Sequence, residues 1–133
     1  MKILVCISKT PDTTAKIAFK NDGRDFQADG IQFIMNPYDE WYALVRALEL
    51  KEEKGGSVTV IHCGPLANEV TIRKALAIGA DDAIRVDMEP DSAYAVAQQI
   101  AAHATTAGYD IIFTGKETID YNGSLVAGMV AGL

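Results

Sequence analysis

Four short apolar runs rich in β-branched residues recur along the chain, at residues 3–7, 58–63, 83–86 and 111–114, with stretches of helical spacing between them. Runs that are apolar at consecutive rather than alternate positions suit strands buried on both faces. Such strands need helices above and below their sheet, and the alternation of strand and helix is the pattern of a parallel α/β sheet with right-handed crossovers. Trp41, Leu44, Val45 and Leu48 fall at i, i+3, i+4 and i+7, and Gly55-Gly56 closes that segment. A second helix is expected over 67–78, with Val70, Lys74 and Ala77 on one side, Ile72, Ala75 and Leu76 on another, and Gly79 as its stop. A third opens at Asp91-Ser92, where the serine suits an N-cap, and carries Tyr94, Ala97, Ile100, Ala101 and Ala104 as far as Gly108.

One segment departs from this alternation. Residues 16–20 and 31–34 flank Asn21-Asp22-Gly23, a hairpin-turn signal, which predicts a β-hairpin excursion at the sheet edge after the first strand. The expected fold is therefore α/β, a Rossmann-like parallel sheet flanked by helices, with that excursion added. A chain of 133 residues suits one domain, 1–133, large enough to bury a core without disulfides or a structural metal. An apolar helical pattern runs to Gly132-Leu133 with no cap, so the sequence is expected to be truncated at its C-terminus.

Charge narrows the function classes. Twelve basic residues against eighteen acidic ones give a formal charge of −6, which leaves no basic surface for nucleic acid or an anionic membrane. No window approaches the roughly 18 apolar residues of a membrane span, and the N-terminus lacks a signal-peptide pattern, so a protein of the cytoplasm or of a matrix-like compartment is expected. Cys6 and Cys63 both fall in strand patterns and read as small buried hydrophobes rather than a disulfide framework or zinc ligands. His62 and His103 belong to no metal or triad spacing, and no catalytic set is visible.

In an open parallel sheet, ligands bind beyond the carboxyl ends of the strands. That rule selects the segments after Cys6 and Cys63, the Asn36-Pro37-Tyr38-Asp39 stretch, and the polar turn after the last strand. Asn122-Gly123-Ser124 offers a tight turn and an N-cap, and behind it Ser124, Ala127, Gly128, Ala131 and Gly132 make a small-residue face. Backbone N–H groups at such a start favour an anion, and a face without bulk lets a phosphate-bearing group approach. The same face equally permits close helix–sheet packing. Asn36 to Asp39 read as a helix start, with proline and acids suited to the first turn, and Asn36 as an amide within reach of a base or ribose.

The ordered set Met1-Lys2-Ile3-Leu4-Val5, Asn36-Pro37-Tyr38-Asp39-Glu40, Cys63-Gly64-Pro65, Ile72-Arg73-Lys74-Ala75-Leu76-Ala77-Ile78-Gly79-Ala80-Asp81 and Gly115-Lys116-Glu117-Thr118-Ile119-Asp120 resembles the N-terminal part of electron-transfer flavoprotein β subunits. The resemblance implies an adenine nucleotide α-hydrolase-like fold and a carrier subunit that is not itself an enzyme. It also implies AMP, or a second FAD, in this subunit and a redox-active FAD in an α subunit that completes a heterodimer. Electrons would pass from flavin dehydrogenases to an acceptor such as a quinone reductase, with no nucleic acid and no membrane insertion. Carried over position by position, the cofactor-binding residues are Cys6; Asn36, Pro37, Tyr38 and Asp39; Cys63; Asp120, Tyr121, Asn122, Gly123 and Ser124; and Leu125, Val126, Ala127, Gly128, Met129, Val130 and Ala131. The run Tyr121-Asn122-Gly123 departs from the family's usual polar segment, which leaves AMP and FAD both open.

A stand-alone adenine-nucleotide sensor of the stress-protein kind shares this plan, but its GxxGxxxxG[ST] loop is absent. An ATP pyrophosphatase would need a glycine-rich loop after the first strand, where this chain has Ser8-Lys9-Thr10-Pro11-Asp12.

Overall fold

The computed structural model describes residues 1–133. In chain order the elements are β1 (Lys2–Cys6), β2 (Lys9–Pro11), β3 (Phe19–Lys20), β4 (Asp25–Phe26), β5 (Phe33–Met35), α1 (Asp39–Lys54), β6 (Ser57–Cys63), a 3₁₀ turn (Leu66–Asn68), α2 (Glu69–Ile78), β7 (Asp82–Val86), α3 (Ala93–Ala107), β8 (Ile111–Phe113) and α4 (Val126–Gly132). The four apolar runs form one parallel sheet in the order β7-β6-β1-β8. Helices cover both of its faces.

Pleating divides the core in two. Ile3, Val5 and Ile7 of the first strand region, with Val58 and Val60, face Ala43, Leu44 and Ala47 of α1 and Ala75 of α2. Leu4, Cys6, Ile61 and Cys63 point the other way, onto Ile100 of α3 and the half-buried Val126 and Val130 of α4. Burial on both faces holds for the central strands β1 and β6, whereas β7 and β8 at the edges are only partly covered. The chain moves outward from β1 to β6 to β7, then returns through α3 to place β8 on the opposite side of β1. Two loops therefore diverge at the carboxyl ends of β1 and β8, which opens a crevice there.

Local signals account for both ends of α3 and for the glycine stops of α1 and α2. Ser92 caps α3 by accepting the Ala95 N–H on its Oγ, and Gly108 ends it in the left-handed conformation. The buried face of α1 differs from expectation. Glu40, Ala43, Leu44 and Ala47 form the buried face of α1, one residue out of register with the expected one, and Trp41 is exposed. In α2 the core side is Thr71, Ile72 and Ala75, so Val70, Lys74 and Ala77 lie outward.

The excursion is also built differently. Asn21, Asp22 and Gly23 do form the tight turn, all at positive φ, but it joins only β3 to β4. The 31–34 stretch pairs instead with β2, in the register Thr10 to Ile34, and neither small ladder joins the main sheet. No helix is long and apolar enough to cross a membrane.

Candidate functional site

A cleft of about 370 Å³ opens at the carboxyl ends of the sheet, within the roughly 300–1,000 Å³ range of small-molecule sites. Its walls are Cys6 to Lys9 after β1, His62 and Cys63 at the end of β6, Asn68, the approach to α3 from Pro90 to Ala93 with Val96 and Ile100 behind, and Thr118, Asp120, Tyr121 and Val126 beyond β8. Glu40 closes the floor from α1. The mixture suits a ligand with one flat apolar part and several polar edges. The charged groups are Lys9 against Glu40, Asp91 and Asp120, so a phosphate here relies on backbone N–H groups and one lysine rather than a cationic cluster.

The polar atoms of the deep wall hold one another. Glu40 accepts the Ser8 N–H at 2.6 Å and the Ser8 Oγ–H at 2.7 Å. Burial pushes its carboxyl up to about 7, against the pull of the two Ser8 hydrogen bonds, with Asp120 and Asp39 adding to the rise. Burial likewise raises the Cys6 thiol to about 12, helped by Glu40 and Cys63, and the Cys63 thiol to about 11. Both thiols are free and inert at neutral pH, as their strand positions led one to expect.

His62 is fixed at both ring nitrogens. Nδ1 lies 3.0 Å from the Ile7 carbonyl, so Nδ1 donates, and Nε2 then accepts from the Asn68 Nδ2–H at 2.9 Å. Burial, with Lys9 and Arg85 nearby, holds the ring below its ordinary titration range, in keeping with this neutral tautomer. Gly64 lies so close over the pair that a Cβ there would sit 2.3 Å from Asn68 Nδ2 and 2.6 Å from His62 Nε2.

Of the residues expected at the site, Cys6, Cys63, Asp120, Tyr121 and Val126 line this cleft. Asn36 does not: it is fully buried, its Nδ2–H donates to the Glu117 carbonyl and its Oδ1 accepts the Ile119 N–H. Asp39 likewise accepts the Lys116 and Glu117 N–H groups. These two side chains anchor the loop leaving β8. Pro37 lines a separate hollow beside Trp41, and Tyr38, at φ 63, is exposed.

The turn after β8 is tied internally. Asn122 N–H donates to the Thr118 carbonyl, Thr118 N–H to the Gly123 carbonyl, and Gly123 N–H to Thr118 Oγ1. The expected helix start is corrected accordingly: Leu125, not Ser124, is the N-cap of α4, no side chain caps it, and the Gly123 N–H is already committed. Asn122, Ser124, Leu125, Ala127, Gly128, Met129, Val130 and Ala131 lie outside the cleft wall. Ser8 belongs to it as part of the segment after β1, and Glu40, His62, Asn68 and Ser92 belong to it without having been expected. A polar residue ending an apolar strand was the available signal for His62.

A second hollow of about 520 Å³ shares Lys9, Asp120 and Tyr121 with the cleft. Its wall is apolar and aromatic, with Phe26 edge-on to both Phe19 and Phe33. Together the two hollows offer a polar chamber and an aromatic one side by side.

Residues 25–133 match the family model of the electron transfer flavoprotein domain. The electron transfer flavoprotein subunit beta of Bacillus subtilis (strain 168) is 34% identical over 137 residues, covering 100% of this chain and 52% of that protein. The human subunit beta is 35% identical, covering 99% of this chain and 54% of its own length. Protein FixA of Azotobacter vinelandii is 41% identical over 130 residues, covering 90% and 44%. The chain thus spans about half the length of the curated relatives it matches. With its matched residues supplying three of the four strands of the parallel sheet and most of the cleft wall, the chain belongs to the electron transfer flavoprotein family.

Proposed function

We propose that this chain is the nucleotide-holding part, a single α/β domain, of an electron-transfer flavoprotein β subunit, and that the cleft at the carboxyl ends of β1, β6 and β8 holds AMP or the adenylate half of a second FAD. The observation that carries the reading is the crevice at the carboxyl ends of β1 and β8, whose β8 side lies within the family match over residues 25–133 while the segment after β1 lies within the similarity to the Bacillus subtilis subunit beta. The base lies toward Cys63, between the apolar Cys6 and Val96 walls. The phosphate lies toward Lys9, where Asp120 and Tyr121 of the loop after β8 border the cleft, and the Gly123 N–H, already given to Thr118, is not among its donors. The adjoining aromatic hollow supports FAD as the larger alternative, because a flavin ring could extend into it past Tyr121.

In this reading the chain pairs with an FAD-bearing α subunit and carries electrons from flavin dehydrogenases to an acceptor such as a quinone reductase. Electron transfer needs cofactors held in fixed orientation and no general base, in keeping with a cleft whose acid and imidazole are both tied into structural hydrogen bonds. The test is to co-express the chain with the gene of a candidate α subunit, denature the purified product and count released nucleotides. One FAD with one AMP, or two FAD, supports the reading. No adenine nucleotide beyond the flavin of the α subunit refutes it.

A further inference from the structure

One carboxyl in the cleft wall has no cation to answer it. Glu40 lines the cleft, is 7% exposed as a residue, and belongs to none of the five ion pairs of the chain. Its hydrogen-bond donors are the N–H and Oγ–H of Ser8. The groups around it add acids rather than bases. Asp39 precedes it on α1 and Asp120 comes from the loop after β8, and both favour its protonated form, after burial as the first cause. On the same loop Gly115 presses on its aliphatic part, where a Cβ would lie 2.8 Å from Glu40 Cγ. Elsewhere on the cleft wall stand the neutral thiols of Cys6 on β1 and Cys63 on β6, the neutral ring of His62, and Asp91 on the approach to α3. Lys9 on β2 is the one basic side chain of the wall, and its ammonium lies 4.6 Å from the centre of the Phe33 ring, outside any ion pair.

Resting on the reading of the cleft as an adenine-nucleotide site, we infer that nucleotide binding there is coupled to protonation of Glu40: a proton is taken up from solvent as the phosphate enters and is released as the nucleotide leaves. The coupling acts through space, with no contact between carboxyl and ligand. A cleft of about 370 Å³ is roughly 9 Å across, so an anion anywhere within it changes the proton's affinity for Glu40 about tenfold or more at an effective dielectric of about 20. Lys9 does not cancel the effect, because its charge is present with or without the nucleotide. Burial, with Asp120 and Asp39, already brings the carboxyl to about 7, so the free protein holds both forms near neutral pH and one added negative charge tips the balance. His62 does not take the proton in its place, since both ring nitrogens are engaged, by the Ile7 carbonyl and the Asn68 amide. Linkage makes the effect reciprocal, and the proton strengthens nucleotide binding by the same factor as the nucleotide strengthens proton binding. Affinity is therefore highest below about 7 and falls as pH rises through that value.

The experiment compares the unaltered protein with Glu40→Gln, which keeps partners for Ser8 and cannot titrate. Each is purified with whatever subunit co-purifies, stripped of bound nucleotide and titrated calorimetrically with AMP, in two buffers of different ionisation enthalpy so that protons are counted. At pH 7.5 the unaltered protein should take up about half a proton more per AMP than the variant. The two should bind AMP alike at pH 6.5, and the variant should bind about threefold to tenfold tighter at pH 8.5. The phosphate's own titration is common to both proteins and drops out of the comparison. A merely structural role for Glu40 would weaken the variant at every pH, and that result overturns the inference. Equal proton counts in the two proteins overturn it as well, while leaving the cleft as a nucleotide site. Binding of AMP to neither refutes the cleft reading on which the inference rests. Should Glu40→Gln not fold, the proton count of the unaltered protein with the 5′-methyl ester of AMP, whose phosphate cannot take up a proton in this range, decides: no uptake overturns the inference.

Discussion

Glu40 and Ser8 are joined by two hydrogen bonds across the floor of the cleft, the Ser8 N–H to one carboxyl oxygen at 2.6 Å and the Ser8 Oγ–H to the other at 2.7 Å. The bond pair ties the start of α1 to the segment leaving β1, at a residue that is only 7% exposed. A charged group so enclosed is disfavoured unless fully compensated. Neutral glutamic acid fits the same place, donating from one oxygen to Ser8 Oγ and accepting the N–H on the other.

Stability should therefore fall with rising pH on account of Glu40. Its folded value, about 7, lies above the ordinary 4.5, so the folded state keeps a proton that the unfolded chain has lost. The contribution is present in full below the ordinary value and disappears as pH rises through about 7, an effect of about 3 kcal/mol. Glu40→Gln keeps both contacts without the charge. Urea denaturation between pH 5 and 8 should show a flatter profile for the variant and greater stability than the parent at pH 8.

His62 produces the opposite slope. The folded protein holds the ring neutral, below its ordinary 6.5, while the unfolded chain takes up a proton on acidification. Stability from this group is whole above the ordinary value and is lost as pH falls below it. In Glu40→Gln, where the carboxyl no longer masks it, the residual loss of stability on the acid side should be removed by the further change His62→Gln. Thermal melts from pH 7.5 to 5 read it directly.

Asn36 should matter through the loop after β8 rather than through a ligand. Asn36→Ala leaves the Glu117 carbonyl and the Ile119 N–H without partners in a partly buried setting, at a cost of about 2–4 kcal/mol for the two together. Hydrogen exchange at the Ile119 amide should accelerate in the variant while amides of β1 and β6 keep their protection relative to global stability. Unchanged exchange at Ile119 would contradict the anchoring role.

Cys6 and Cys63 should resist alkylation in the native protein. Their thiols are raised to about 12 and 11 by burial, which leaves almost no thiolate at pH 8. Titration with a thiol-reactive dye should show both groups reacting only as the protein unfolds. Cys63→Ala should leave nucleotide release from the complex unaltered in kind.

The strands were legible because consecutive apolar residues leave few alternatives to burial on both faces, and Ser92 and Gly108 ended α3 where local chemistry predicted. The face of α1 was misjudged for a definite reason. Hydrophobicity favoured Trp41 as a core residue, yet the buried place went to Glu40, whose carboxyl is satisfied by Ser8, thirty-two residues earlier in the chain. The turn at Asn21-Asp22-Gly23 was readable from three residues, but the partner of 31–34 was settled by pairing with Lys9–Pro11, which no local signal records. The cleft divides in the same way. Cys6, Cys63 and Asp120 follow from their places at strand ends, whereas the Ile7, His62 and Asn68 chain exists only once β1, β6 and the turn before α2 are brought together.

The most direct measurement of the central claim, that an adenine nucleotide occupies the cleft at the carboxyl ends of β1, β6 and β8, is photolabelling with 8-azido-AMP followed by peptide mapping. The account predicts labelling confined to peptides spanning 61–68 and 90–100, the walls around the base, and abolished by excess AMP. Competable labelling concentrated instead on the hollow beside Trp41 and Val70, with none at the strand ends, would contradict it.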